Sequence, residues 1–144
     1  MLSTVRQLLK TKGNAALSID ASRPVREALI QMIDNNVGSL LVLRNGEVVG
    51  LFTERSFVRK GAVAKGFSID SPVADVMVEE VLYVSPDTTI EQCMALMTDT
   101  RTRHLPVLED ESLVGIVSIG DLVKKLLRDK DFAIEQLERY ISGR

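Results

Sequence analysis

The sequence predicts a mixed α/β fold made of two copies of one βαββα unit, and three observations support that prediction. A shift of 65 positions carries residues 25–60 onto residues 90–125 without a gap, so that Gly50 falls on Gly115. Each copy combines an amphipathic helical pattern with the paired apolar runs of a strand hairpin. Each copy then passes directly from a strand into a helix. We therefore expect two small units, packed sheet to sheet through a shared core with pseudo-twofold symmetry.

The chain opens with a leader segment whose apolar residues return in the middle of the sequence. Val5, Leu8 and Leu9 have counterparts at Val73, Val76 and Met77. The basic residues of this segment, with no acid before Asp20, also suit an organellar targeting peptide. A targeting peptide has no reason to recur in mid-chain, so we predict a structural leader helix in each copy.

A short strand and an amphipathic helix follow each leader. The strands are predicted at residues 17–20 and 82–85, and the helices begin near Val25 and Ile90 with apolar residues at helical spacing. Cys93 lies in the apolar stripe of the second helix. We interpret it as a small core residue rather than as a nucleophile, because nothing around it lowers a thiol pKa.

A strand hairpin and a closing helix complete each copy. The Asn45-Gly46 dipeptide favours a two-residue turn in the first hairpin, whereas residues 109–112 connect the second. After the charged run at 128–131 we predict a separate last helix, whose apolar stripe either covers the chain's own sheet or meets another subunit. The predicted boundaries are 1–65 for the first repeat, 66–128 for the second and 129–144 for the C-terminal helix.

The composition limits the classes of function. The chain has 144 residues, 45% of them hydrophobic, with a formal net charge of -2 and a pI near 5.5. That balance argues against a nucleic-acid surface or a polybasic membrane anchor, and no apolar run approaches the roughly 20 residues that span a bilayer. A lone cysteine excludes an internal disulfide and suits the cytoplasm. We find no catalytic motif and no set of metal ligands, so we expect neither an enzyme nor a metal site.

The polar groups best suited to bind a ligand lie where the apolar run at 114–119 meets Asp121. A strand that runs into a helix there points backbone N–H groups and the positive end of the helix dipole at one spot, which suits phosphate. The Ser118 hydroxyl lies beside them. The Asp121 carboxylate suits a ribose, because it accepts hydrogen bonds from two neighbouring hydroxyls. The alternative is that Asp121 only caps the helix and Ser118 is a solvated turn residue.

Three segments resemble the cystathionine-β-synthase (CBS) domain: V-G-I-V-S-I-G-D-L-V from Val114, R-H-L-P-V-L from Arg103, and V-G-L-F-T-E-R-S from Val49. The whole chain up to about Leu127 resembles a stand-alone tandem pair, or Bateman module. The resemblance implies a βαββα unit in each copy, adenosine nucleotides in the clefts between the copies, and a regulatory role. Many such modules dimerise as flat discs, so a homodimer is also implied.

The resemblance also implies roles for single residues in the main cleft. Asp121 matches the ribose-binding acid, Ser118 the phosphate-binding hydroxyl and Ile116 an apolar residue against the adenine. Arg103 suits phosphate, because its guanidinium forks onto oxygen atoms, whereas His104 has a phosphate contact and a packed or capping role as open alternatives. The other predicted lining residues of this cleft are Leu17, Val37, Gly38, Ser39 and Gly120.

The equivalent cleft of the first copy departs from the family pattern. Thr53 matches the phosphate-binding hydroxyl, but Ser56 stands where the family has the acid. A neutral hydroxyl lacks the charge-assisted hydrogen bonds, each worth about 1.5–3 kcal/mol, so we expect weaker ribose selectivity there. Its basic residues either favour phosphate, such as the far half of a dinucleotide, or form a solvated helix face. The other predicted lining residues are Leu51, Arg55, Arg59, Lys60, Leu82, Thr102 and Arg103.

These inferences lead to a small-molecule sensor as the first hypothesis. AMP, ATP or NAD(H) is expected as the ligand, chiefly at the Asp121 cleft, with energy sensing in the cytoplasm as the context and no obligatory cofactor. The competing hypothesis is a protein-docking or dimerisation module whose clefts are empty, and an enzyme is a distant third. The sequence does not identify the enzyme that such a module regulates.

Overall fold

The computed structural model describes residues 3–13 and 16–142, and the chain divides into two compact units. The N-terminal unit spans Ala16–Leu82. The C-terminal unit combines the leader helix α1 (Val5–Lys12) with the chain from Tyr83 onward. The last two residues of the segment predicted at 129–144 lie outside the described part.

The N-terminal unit is built on a three-stranded sheet. Strand β1 (Ser18–Asp20) is parallel to β2 (Ser39–Arg44), and β2 is antiparallel to β3 (Glu47–Thr53), in the order β1-β2-β3. In its core, Leu40, Val42 and Phe52 of the sheet pack with Val25 and Ala28. In chain order the elements are β1 (Ser18–Asp20), α2 (Val25–Asn35), β2 (Ser39–Arg44), β3 (Glu47–Thr53), α3 (Glu54–Ser56), a π-helix at Phe57–Ala62 and a 3-10 turn at Val73–Asp75.

The C-terminal unit is built on an antiparallel pair of strands. Val5 and Leu8 of the leader helix pack with Leu105, Val117 and Leu122 in one core cluster. The leader helix is thus confirmed as a structural element. Besides α1, the elements are α4 (Ile90–Thr100), β4 (His104–Glu109), β5 (Ser112–Ser118) and α5 (Ile119–Ser142).

Each leader packs in the unit that contains the hairpin of the other repeat, at a glycine that leaves room for it. A Cβ built at Gly115 would lie 2.9 Å from Cδ2 of Leu9, and a Cβ built at Gly50 would lie 2.5 Å from Sδ of Met77. Gly50 and Gly115 are equivalent in the repeat, as are Leu9 and Met77. The same close approach of a leader to a hairpin therefore occurs in both units.

Gly50→Ala is expected to destabilise the protein by about 1–3 kcal/mol, the cost of overpacking a core. Its Cβ would meet both Met77 and the backbone oxygen of Val78, at 2.9 Å. That oxygen has little freedom to move, because Val78 exchanges backbone hydrogen bonds of 2.8 and 2.9 Å with Leu51. Gly115→Ala is the matched variant and should cost less, since it meets only the flexible end of Leu9. Urea unfolding measures both, and equal losses would contradict this account.

Two elements of the second repeat are shorter than the sequence predicts. The strand predicted at 82–85 is wrong in extent, because only Val84 pairs, through a bridge to Val107. Pro86 has no N–H to donate, and the Ser85 N–H is held by the Thr88 hydroxyl at 3.0 Å. The second leader is wrong as a helix, because it is a single 3-10 turn before the chain extends to pair at Val78.

Two closing helices also differ from prediction. The first repeat closes with one helical turn that continues as a π-helix rather than with a regular helix. The break predicted near residues 128–131 is wrong, because α5 runs without interruption over 24 residues. That charged run contains neither glycine nor proline, and an ion pair of 3.0 Å between Lys125 and Asp129 bridges it at i,i+4 spacing.

Candidate functional site

The junction between β5 and α5 forms a reciprocal hydrogen-bonded cap. The Ser118 N–H donates to Oδ2 of Asp121 at 2.9 Å, and the Asp121 N–H donates to the Ser118 hydroxyl at 3.2 Å. The predicted passage from strand to helix is confirmed. The cap holds the Asp121 carboxylate beside the first turn of a 24-residue helix, where the helix dipole stabilises a negative charge.

Lys12, at the end of the leader helix, also binds this carboxylate. Its Nζ lies 2.6 Å from Oδ2 of Asp121 and 2.5 Å from the backbone oxygen of Ile116. Both side chains of the pair are only partly exposed, at 30% for Lys12 and 22% for Asp121. Burial opposes ionisation, but the hydrogen bonds from Lys12 and Ser118 outweigh it and hold the pKa of the Asp121 carboxyl below its usual value.

Lys12 was not among the residues predicted for this site. The sequence places Lys12 one helical turn after Leu8, in a leader whose apolar residues have counterparts elsewhere in the chain. That pattern indicates a packed helix, but it does not tell which strand the helix packs against. The contact with Asp121 follows from that long-range packing and from the length of the lysine side chain.

His104 and Arg103 lie at the other strand of the same junction. His104 pairs with Ser118 across β4 and β5 and is half-buried. Burial lowers the pKa of its imidazole, Lys12 lowers it further, and Asp121 partly opposes the shift, so the ring is neutral at pH 7. Arg103 accepts a backbone hydrogen bond of 2.9 Å from Ile119, and the residue itself is exposed.

The C-terminal unit thus brings together the six residues that it was predicted to contribute to the main cleft, with Lys12 added. Ile116 is half-buried, and Gly120 is exposed, with the Ser118 hydroxyl 3.7 Å from where a Cβ would stand. We call this group the Asp121 half-site. Its members are Lys12, Arg103, His104, Ile116, Ser118, Gly120 and Asp121.

The remaining residues predicted for the main cleft lie in the N-terminal unit, around the start of β2. The backbone oxygen of Leu17 accepts from Leu41 at 2.9 Å, and that of Gly38 accepts from Glu54 at 3.3 Å. Val37 is half-buried and Ser39 is buried. That these residues join the Asp121 half-site in one cleft stays a prediction.

The junction between β3 and α3 repeats the cap without an acid. The Thr53 N–H donates to the Ser56 hydroxyl and the Ser56 N–H donates to the Thr53 hydroxyl, both at 2.9 Å. The Ser56 hydroxyl also donates to the Thr53 carbonyl at 3.0 Å, and Ser56 is only 3% exposed. This junction therefore offers a buried neutral hydroxyl where the other offers a carboxylate.

The other residues predicted for the second cleft are divided between the two units. Leu51 is buried, Arg55 is half-buried and Leu82 is exposed. Arg59 is exposed, whereas Lys60 donates to the backbone oxygen of Met77 at 2.9 Å. Thr102 and Arg103 belong to the C-terminal unit. Their meeting in one cleft likewise stays a prediction.

Cys93 occupies the core, as predicted. The residue is fully buried, and burial, with a smaller effect of Glu91, raises the pKa of its thiol to about 11. A thiol with that pKa is protonated at pH 7 and is a poor nucleophile. Across residues 3–13 and 16–142, the structure has no group of three or more acidic, histidine or cysteine residues placed to hold a metal ion, and no helix suited to cross a membrane.

Comparison with known proteins gives consistent matches along the chain. The family model described as CBS domain matches residues 5–62 and 73–128. The chain is 36% identical to the mitochondrial CBS domain-containing protein CBSX3 of Arabidopsis thaliana over 150 residues, which cover 98% of this chain and 73% of that protein.

Two solved structures are similar in both sequence and fold. The crystal structure of the CBS domain NE2398 has 42% identity and a TM-score of 0.83, and the match covers 88% of this chain and 99% of that one. A putative signal-transduction protein with CBS domains from Burkholderia ambifaria has 38% identity and a TM-score of 0.84, with coverage of 88% and 96%.

Proposed function

Because the chain belongs to the CBS domain family and carries two such domains, we propose that it is a regulatory module that binds an adenosine nucleotide. CBS domain pairs are commonly regulatory and ligand-binding. AMP, ATP and NAD(H) are the candidate ligands, and the ligand acts by changing the packing of the module or of a dimer. We further propose a homodimer, a cytoplasmic location and no catalytic activity of its own.

The Asp121 half-site is the observation that carries this proposal. Its carboxylate is ionised, fixed by the Ser118 N–H at 2.9 Å and placed at the start of α5. An ionised carboxylate accepts hydrogen bonds from the two hydroxyls of a ribose. The helix N-terminus and the side chains of Ser118 and Arg103 suit the phosphate of the same ligand. One small region thus offers partners for both parts of a sugar phosphate.

Calorimetric titration of the purified protein with AMP, ADP, ATP and NADH tests the proposal. We expect at least one of them to bind with a dissociation constant below 1 mM, which corresponds to roughly -4.1 kcal/mol. A native mass spectrum should also show the mass of a co-purified nucleotide. Absence of binding by all four ligands, together with a ligand-free mass, would overturn it.

A protein-docking module is the second candidate function. The neutral cap at Ser56 and the ion pair between Lys12 and Asp121 favour it, because both leave fewer groups for a nucleotide. Under this alternative, the native mass spectrum shows the bare protein, and added nucleotides leave its assembly unchanged. The same two measurements therefore separate the two functions.

Lys12→Met is expected to strengthen adenosine binding about 1.4- to fivefold, the range of a partly exposed ion pair worth roughly 0.2–1 kcal/mol. Lys12 and the ribose hydroxyls compete for Oδ2 of Asp121, so removing the cation frees the acceptor. Adenosine is the probe because it lacks phosphate, whose attraction to Lys12 would mask the effect. Lys10→Met, on an exposed position of the same helix, is the control. Weaker adenosine binding by Lys12→Met would show that Lys12 supports the ligand instead.

A further inference from the structure

The described side chains in the second half of α5 are exposed to solvent. Leu122 is fully buried near the start of the helix, and Leu126 packs at the edge of the same core cluster. From residue 130 to residue 139, every side chain is exposed. An isolated helical segment of this length is marginal in water, and most helices gain their stability by packing an apolar face.

The exposed part carries an apolar seam with the spacing of a coiled coil. Val123, Leu127, Lys130, Ile134 and Leu137 alternate intervals of four and three residues, and the sequence continues the pattern at Ile141. The apolar members of the seam are large and exposed: Val123 by 41%, Leu127 by 57%, Ile134 by 45% and Leu137 by 62%. Such a repeat of 3.5 residues keeps one face of a helix against a partner helix.

We propose that this seam binds the same seam of a second copy in an antiparallel pair of helices. The charges select this arrangement. In a parallel pair, Lys130 would face Lys130 of the other copy in the middle of the seam. In an antiparallel pair centred near residue 132, Lys130 of each copy faces Ile134 of the other. Asp131 precedes that Ile134 by three residues, about 4.5 Å along the helix axis, which is within reach of a lysine side chain. The proposal deepens the proposed self-association, and it does not depend on nucleotide binding.

Sedimentation equilibrium of the full chain at about 100 μM tests the seam. We expect the wild type to form a dimer, and Leu137→Asp to weaken dimerisation at least about tenfold, because it places a charge in the seam. Phe132→Asp is the matched control, because Phe132 is also 62% exposed on the same helix but lies off the seam. The Phe132→Asp variant should dimerise like the wild type. Circular dichroism checks that both variants keep their helical content.

A charge exchange tests the direction of the pairing. Lys130→Asp and Asp131→Lys should each weaken the dimer, and the double variant should restore it, since Lys130 of one copy lies within reach of Asp131 of the other in an antiparallel pair. A failure of the double variant to recover would overturn the antiparallel geometry.

A monomeric wild type would overturn both the dimer and the seam, whereas a dimer insensitive to Leu137→Asp would overturn the seam alone. Titration with AMP on the same samples shows separately whether the nucleotide proposal stands.

Discussion

Asp121→Asn is expected to weaken AMP binding by about 10- to 150-fold, the equivalent of roughly 1.5–3 kcal/mol for hydrogen bonds to a charged group. The pKa of the Asp121 carboxyl lies below its usual value, so the wild-type side chain is ionised throughout the neutral range. Asparagine keeps the size of the side chain and an oxygen that can accept from the Ser118 N–H. The substitution therefore removes the charge while it preserves the helix cap.

The ligand provides an internal check on this result. A carboxylate that binds the ribose diol should make the wild type prefer AMP over its 2′-deoxy form, and Asp121→Asn should lose much of that preference. A general loss of folding would weaken both ligands alike. Calorimetric titration with the two nucleotides measures the preference directly.

Asp129→Asn is the matched control on the same helix. Asp129 also pairs with a lysine, Lys125 at 3.0 Å, and accepts from the Ser3 hydroxyl at 2.5 Å. It lies two helical turns after Asp121, away from the junction with β5. We expect this variant to bind AMP like the wild type. Equal loss in both variants would indicate an effect of α5 as a whole and would contradict the assigned role of Asp121.

Local structure was largely predictable, because it depends on neighbouring residues. The turn at Asn45-Gly46 has positive φ at both residues, 53° and 81°, as that dipeptide favours. The passage from strand to helix at Ser118 follows from a change of apolar period. The strand predicted at residues 82–85 was wrong in extent because Pro86 and the hydrogen bond of the Ser85 N–H limit the pairing to Val84.

Long-range partners were not predictable in the same way. Apolar spacing indicates that Leu9 and Met77 are buried, but it carries no information about which strand lies above them. The structure places each against a glycine of the other repeat's hairpin. Lys12 becomes part of the Asp121 half-site only because of that placement. In a duplicated sequence, the apolar pattern of each leader fits the hairpin of either repeat. The sequence alone therefore does not determine which hairpin each leader packs against.

Leu8→Ala should therefore destabilise the unit that contains Asp121, although residue 8 precedes the other repeat in the chain. Leu8 is only 1% exposed and packs in the cluster of Leu105, Val117 and Leu122. Removing its buried methyl groups should cost about 2–5 kcal/mol, through lost transfer energy and the cavity left behind. Hydrogen exchange should accelerate in β4 and β5 much more than in β2 and β3.

Lys10→Ala is the control for that experiment, because position 10 lies on the exposed side of the same helix. It should leave exchange in both units unchanged, since substitutions at such surface positions usually stay within about 0.5 kcal/mol. Because the leader also carries Lys12, Leu8→Ala should disturb adenosine binding together with stability, whereas Lys12→Met should change binding and cost no more stability than its ion pair, about 0.2–1 kcal/mol. If Leu8→Ala instead accelerated exchange mainly in β2 and β3, the leader would belong to its own repeat, and the observed placement of Lys12 beside Asp121 would be wrong.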